Sequence, residues 1–232
     1  MGLRLRAATV RGPGHIADGL PNQDAVLIRH GRRDWLAVVA DGMGSRRQAA
    51  LGARAACTAV RRAVREQSFD SDDHTLIRAV YSHWLDHLAQ RRVLPADAVT
   101  TCLFAWGLPD GRFRLLQLGD GLILGHPEPV HGLVQRPGGV FSNETTGLGL
   151  SRRYADWHGR RGRLDRRGDG LLLMSDGLSE DLVRTDGLVL AVIASLRGRG
   201  ARSARAALGR ELHAWPTPGH SDDKSLAVIY RT

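Results

Sequence analysis

Three apolar runs of this chain end in the same dipeptide. Trp35-Leu36-Ala37-Val38-Val39-Ala40 leads into Asp41-Gly42, Leu115-Leu116-Gln117-Leu118-Gly119 into Asp120-Gly121, and Leu171-Leu172-Leu173-Met174-Ser175 into Asp176-Gly177. Short apolar runs bounded by turn residues read as strands, so each aspartate is presented at a sheet rim. The glycine behind it has no Cβ, which lets the chain turn sharply and bring a backbone carbonyl close to whatever the carboxylate holds. One such ending is an ordinary turn; three, on non-adjacent strands, point to convergence on one cation site. Composition sharpens the signal: aspartate outnumbers glutamate 19 to 5, and seven of the 19 precede glycine, where random pairing gives about two. The other four pairs have structural readings. Asp110-Gly111 reads as a hairpin turn, Asp169-Gly170 as a turn into a strand, Asp18-Gly19 as a loop, and Asp186-Gly187 as the cap of a helix beginning near Leu188.

Two further acidic positions precede strands: Asp24, in Asn22-Gln23-Asp24-Ala25 before Val26–His30, and the pair Asp222-Asp223 before Ser225–Tyr230. Hard divalent cations such as Mg²⁺ and Mn²⁺ take oxygen ligands, and aspartates without companion histidines or cysteines point away from zinc. Several carboxylates within a few ångströms repel one another unless cations neutralise them. The cluster therefore predicts its own metals.

The 232 residues, 42% hydrophobic and 25% charged, are enough for one large domain spanning residues 1–232 with a sizeable core, which excludes bulk disorder. No apolar run reaches the roughly 18 residues of a membrane span, and no signal-peptide core opens the chain, so the expectation is a soluble, cytoplasmic protein. Cys57 and Cys102, each in an apolar stretch, read as buried thiols. The formal charge is +9, and of 33 cationic residues only Lys224 is a lysine. Arginine pairs such as Arg46-Arg47, Arg91-Arg92 and Arg160-Arg161 are scattered along the chain and aromatics are 5% of it, so a nucleic-acid footprint is not expected.

Helix periodicity covers Gln48–Glu66 and Asp72–Arg91, forming one helical layer, with a second from Leu188–Leu196 and Ala201–Trp215. Alternating strands fill Ala98–Trp106, Phe113–Leu118 and Leu122–His126, joined by tight turns as in a meander, before a polar, Gly- and Arg-rich middle from Gly132 to Gly168. The expected class is α+β, a four-layer α/β/β/α sandwich of two antiparallel sheets flanked by helices. Trp84 and Trp106 read as core. His15, His83, His87, His126, His158 and His220 sit singly and read as surface or satisfied residues, although His220 lies close in sequence to Asp222.

The blocks Asn22-Gln23-Asp24, Val38-Val39-Ala40-Asp41-Gly42-Met43-Gly44, Thr100-Thr101, Gly119-Asp120-Gly121, Met174-Ser175-Asp176-Gly177 and Ser221-Asp222-Asp223-Lys224-Ser225, in that order, resemble the metal-dependent (type-2C) serine/threonine protein phosphatases. Gly14-His15, Gly19, Pro21 to Ala25 and Phe141-Ser142-Asn143-Glu144-Thr145 resemble the compact bacterial branch. The resemblance implies that Asp41 bridges two Mn²⁺ or Mg²⁺ ions, that the Gly42 carbonyl reaches the second through water, and that Asp176 and Asp222 bind the first. It further implies that Asp120 helps hold a third, weaker ion and that Asp24 is the acidic residue beside the second metal, with Asp41 and Asp24 the catalytic pair. Asp223 is the alternative to Asp222.

The implied chemistry is hydrolysis of phosphoserine or phosphothreonine by a metal-activated water with no covalent phosphoenzyme. The implied partners are a phosphorylated protein substrate and an opposing Ser/Thr kinase, with no nucleic acid and no membrane, the protein itself being a monomer. Four departures stand out. Gln23 replaces the family's glutamate, and Met43 stands where animal members carry a histidine. The phosphate-gripping arginine would fall near Gly19, where there is none, leaving Arg11 or His15 as substitutes. Ser45 replaces a glycine and is placed to cap the next helix. Gln23 and the missing arginine favour a rival reading, a catalytically weak phosphatase-like module that binds rather than hydrolyses.

Overall fold

The computed structural model describes residues 2–127, 146–180, 182, 185–216 and 221–232. Its elements run β1 (Leu3–Val10), α1 (Pro13–Ala17), β2 (Asp24–His30), β3 (Trp35–Asp41), α2 (Ala49–Glu66), α3 (Asp73–Ala89), β4 (Cys102–Gly107), β5 (Arg112–Leu118), β6 (Leu122–His126), β7 (His158–Arg163), β8 (Gly170–Met174), α4 (Asp176–Ser179), α5 (Leu188–Leu196), α6 (Ala201–Ala214) and β9 (Lys224–Arg231). The strands form two sheets, β1-β9-β8-β6 and β2-β3-β4-β5-β7, and every pairing is antiparallel.

The unbroken apolar run of β3 follows from its position. Leu36, Val38 and Ala40 face α2 and α3, while Trp35, Ala37 and Val39 face the other sheet, so both faces are buried. β8 is built alike: Leu171 and Leu173 point between the sheets, and Leu172 and Met174 point to α5 and α6. Three apolar layers therefore separate four layers of secondary structure, the α/β/β/α sandwich. The alanine-rich composition of α2 reflects close packing, since a side-chain carbon at Gly52 would collide with the Ala98 carbonyl. Trp84, fully buried, donates its indole N–H to the Gly52 carbonyl at 3.1 Å. Both cysteines are buried free thiols in the layer between α2/α3 and their sheet, and burial pushes Cys57 up to about 12.

Several expectations need correction. The three central strands are no meander: β4 and β5 pair, but β6 belongs to the other sheet, against β8. Gly119-Asp120-Gly121 is the crossing point, and Gly119 takes φ +104°, open to glycine without strain. β4 begins at Cys102 rather than Ala98, because residues 98–101 bend to meet the end of β3. β1 lies in a stretch that carried no strand assignment, and β7 lies inside the polar middle. Asp186 does not cap α5; Gly187, at φ +74°, occupies that position without a side-chain bond. Ser45 caps nothing either, since α2 opens after Gln48. Phe141 to Thr145 and His220 lie outside the described residues.

Candidate metal centre

The register between β2 and β3 places Asp24 opposite Asp41. Three bonds pin the main chain of Asp41: its N–H donates to Thr101 Oγ1 at 2.9 Å, and its carbonyl accepts from the Thr101 N–H and the Thr100 hydroxyl, each at 2.8 Å. With the backbone fixed, the carboxylate emerges from the rim in one direction. Gly42 is hemmed in, since a Cβ there would run into the Ala49 and Gln23 carbonyls. Asp176 begins α4 directly after β8 and accepts from the Gly177 N–H at 2.6 Å. Asp120 arrives on the crossing between β5 and β6, and Asp222 just ahead of β9.

These segments meet in one cleft of about 130 Å³, lined by Asp41, Asp120, Asp176 and Asp222 together with Met43, Gly44 and the Thr100-Thr101 pair. Among the described residues no lysine, arginine or histidine lines it. Asp24 lies behind, buried, its Oδ2 accepting from the Ser175 hydroxyl at 2.8 Å while its Oδ1 has no hydrogen-bond partner. Gln23 is also buried, with an unpartnered Oε1.

Crowding and burial act on Asp24, Asp41 and Asp176. Burial, opposed by bonds from Ser225 and Ser175 and reinforced by the charges of Asp223 and Asp176, pushes the Asp24 carboxyl up to about 7. Burial also raises Asp41 well above the usual carboxylate range, with Asp24, Asp176 and Asp222 adding repulsion. Asp176 is raised for the same first reason, despite a hydrogen bond with Asp41 that opposes it. Such a set of oxygens, crowded, with Asp41 and Asp176 desolvated and no cationic side chain lining the cleft among the described residues, fits hard divalent cations. The unpartnered Asp24 and Gln23 oxygens point to the same donor chemistry.

The pair at the start of β9 divides cleanly. Asp222 lines the cleft with a half-exposed side chain, whereas Asp223 is 1% exposed and accepts from the Gly12 N–H at 2.7 Å and the Gln23 N–H at 2.5 Å. His15 completes that arrangement, with Nδ1 2.9 Å from Asp223 Oδ2 and 3.8 Å from Asp222 Oδ1. It is therefore a half-buried, satisfied residue rather than one that sits singly. The sequence signal for it is the glycine pattern around Pro13. A Cβ at Gly12 would strike the Asp222 backbone, and Gly14 donates to the Ser221 carbonyl at 2.9 Å, so both glycines let α1 abut the start of β9. Neither substitute for the missing arginine lines the cleft: His15 lies against Asp223, and Arg11 donates to the Leu20 carbonyl at 3.0 Å.

A sequence-family model described as Protein phosphatase 2C matches residues 11–213. No curated protein sequence matches significantly. Among solved structures, the catalytic domain of the serine/threonine protein phosphatase PstP in complex with two manganese ions is similar at 22% identity and a TM-score of 0.65, covering 98% of this chain and 97% of that one. RsbX in complex with magnesium is similar at 12% identity and a TM-score of 0.61, over 99% and 96% of the two chains. PppA, a regulatory component of the T6SS in Pseudomonas aeruginosa, is similar at 17% identity and a TM-score of 0.62, over 99% and 98%. At these identities the structural likeness establishes the fold.

Proposed function

The chain belongs to the protein phosphatase 2C family, and from that premise we propose that it hydrolyses phosphoserine and phosphothreonine in proteins with the help of two Mn²⁺ or Mg²⁺ ions. The observation that carries this reading is the cleft in which Asp41, Asp120, Asp176 and Asp222 converge with no cationic side chain among the described residues that line it. Asp41 would bridge the two ions, Asp176 and Asp222 would complete the first site, the Gly42 carbonyl and Asp24 would serve the second, and Asp120 would assist a third, weaker ion. When bound, the ions would supply a Lewis acid that lowers the pKa of water and neutralises phosphoryl charge.

The chain's own contribution is positional. Thr100 and Thr101 hold the Asp41 backbone, Ser175 holds Asp24, and His15 holds Asp223 beside Asp222. Among the described residues that line the cleft there is no guanidinium, so these offer the phosphoryl group no arginine fork. Both cysteines are buried, which fits hydrolysis without a covalent phosphoenzyme. We further read residues 1–232 as one phosphatase domain, acting as a cytoplasmic monomer opposite a Ser/Thr kinase. Among the described residues no helix is long and apolar enough to cross a membrane.

The test is hydrolysis of p-nitrophenyl phosphate and of a phosphothreonine peptide with and without Mn²⁺. Activity should require the ion and fall about 100-fold or more in Asp41→Asn and in Asp176→Asn. Full rate in either variant would refute the assignment. The neutral Gln23 and the lack of an arginine in the cleft among the described residues favour a second reading, a weak or inactive phosphatase-like module that binds rather than hydrolyses. It predicts no Mn²⁺ binding in calorimetric titration at micromolar to millimolar concentrations and negligible turnover of the phosphopeptide.

A further inference from the structure

Six arginines that are far apart in sequence, Arg4, Arg6, Arg167, Arg197, Arg199 and Arg231, line one concavity of about 530 Å³. It lies at the opposite end of β9 from the carboxylate cleft. Asp222 and Asp223 precede the first residue of that strand and Arg231 ends it, a separation of roughly 25 Å for eight extended residues. β1 explains part of the cluster. Its outward positions read Arg4, Arg6, Ala8 and Val10: Ala8 and Val10 pack into the layer beneath α5 and α6, and the two arginines stand on the same face further along the strand. The turn between α5 and α6 brings Arg197 and Arg199, and the turn before β8 brings Arg167.

None of the six is paired with a carboxylate among the described residues. Their hydrogen bonds go to carbonyls instead: Arg6 Nη1 to Leu5 at 2.8 Å, Arg199 Nε to Ser195 at 2.7 Å, Arg231 Nε to Leu164 at 2.9 Å and Arg231 Nη2 to Pro109 at 3.2 Å. Such bonds hold a guanidinium in place and leave most of its five N–H donors unused. The adjoining acidic residues are engaged elsewhere. Asp165 is paired with Arg163, and Asp169 accepts from the backbone N–H groups of Asp165 and Arg166. Gly200 and Ala201, at the start of the fourteen-residue α6, also line the concavity, and the cap position Gly200 supplies no side-chain acceptor. The positive end of that helix and its unpaired first amides therefore face the same space.

We infer that this concavity is a binding site for a small anion carrying two or more phosphoryl groups, either an inorganic polyphosphate or a nucleoside polyphosphate. Guanidinium forks match phosphate oxygens two at a time, and one anion of high charge relieves the mutual repulsion of six cations better than scattered chloride. The volume is within the range of small-molecule sites.

The test is calorimetric titration of the full chain, in EDTA at moderate salt, with tripolyphosphate, ATP and inorganic phosphate in parallel. In EDTA the carboxylate cleft carries no cation and repels anions, so a failure here is distinct from a failure of the phosphatase assignment. Tripolyphosphate should bind more tightly than phosphate. The double variant Arg197→Gln/Arg199→Gln, both positions being exposed and its fold checked by an unchanged melting curve, should weaken binding at least ~10-fold, whereas Asp41→Asn should not. Equal affinity for ATP and tripolyphosphate would identify the phosphoryl chain as the whole ligand; tighter ATP would identify the nucleotide. The inference is overturned if nothing binds, if Asp41→Asn removes binding and the arginine variant does not, or if a single-stranded oligonucleotide occupies the site and tripolyphosphate fails to displace it.

Discussion

At the scale of single residues, the carboxylates of the cleft are held in an environment that opposes their charge. Asp24 titrates at about 7 in the fold because of its burial, against 3.8 when solvated. Its raised value means that the metal-free folded chain keeps a proton which the unfolded chain has already lost across that interval. The stability this proton represents is complete below the unfolded value and lost as pH rises through about 7. A divalent cation replaces the proton, so Mn²⁺ should raise the melting temperature more at about pH 7.5 than at about pH 5.5. Equal shifts at both would contradict the assignment of Asp24 to a cation site. His15 is expected to act through Asp223 on Asp222: His15→Ala should weaken Mn²⁺ binding about 10-fold by calorimetry, with partial recovery in His15→Asn. Asp41, Asp120 and Asp176 stand out in the sequence because strand-end Asp-Gly pairs are rare by chance. His15 does not, since the glycines around Pro13 mark a close approach of the chain without saying which segment, some two hundred residues away, makes it.

At the scale of elements, legibility followed burial. β3 and β8 are covered on both faces, so their sequences are continuous apolar runs that local patterning detects. β7 reads His-Gly-Arg-Arg-Gly-Arg, a composition that disfavours strands, and forms because β5 would otherwise present an open edge; its charges in turn suit an edge position. The sheet to which β6 belongs was equally hidden, because alternation reports that a strand is half-buried and not which neighbour covers it. β5 holds a second feature that patterning does not show. Arg114 is 1% exposed, donates to the carbonyls of Phe69 and Ser71 at 2.9 Å each, and pairs with Asp73 beside the Trp106 ring. It ties the turn between α2 and α3 to the sheet. Arg114→Ala should cost about 2 kcal/mol in urea unfolding, because it leaves the Phe69 carbonyl without its donor and Asp73 and the Ser71 carbonyl with Arg161 alone, at 3.4 and 3.1 Å. A loss below about 1 kcal/mol would show the contact to be ornamental.

At the scale of the whole molecule, two sheets rim one cleft. Asp24 and Asp41 come from the five-stranded sheet, Asp176 and Asp222 from the ends of strands in the four-stranded sheet, and Asp120 from the crossing between them. Cation binding should therefore couple the sheets as well as serve chemistry. The arginines form the complementary case: scattered in sequence, they give no sign of a cluster, and only the fold gathers six of them at the far end of β9. The most direct test of the account is an anomalous difference map from crystals of this protein grown with Mn²⁺. Two peaks between Asp41, Asp176 and Asp222, with Asp41 touching both, are the expected result. Manganese bound elsewhere, or absent from the cleft at saturating concentration, would contradict it.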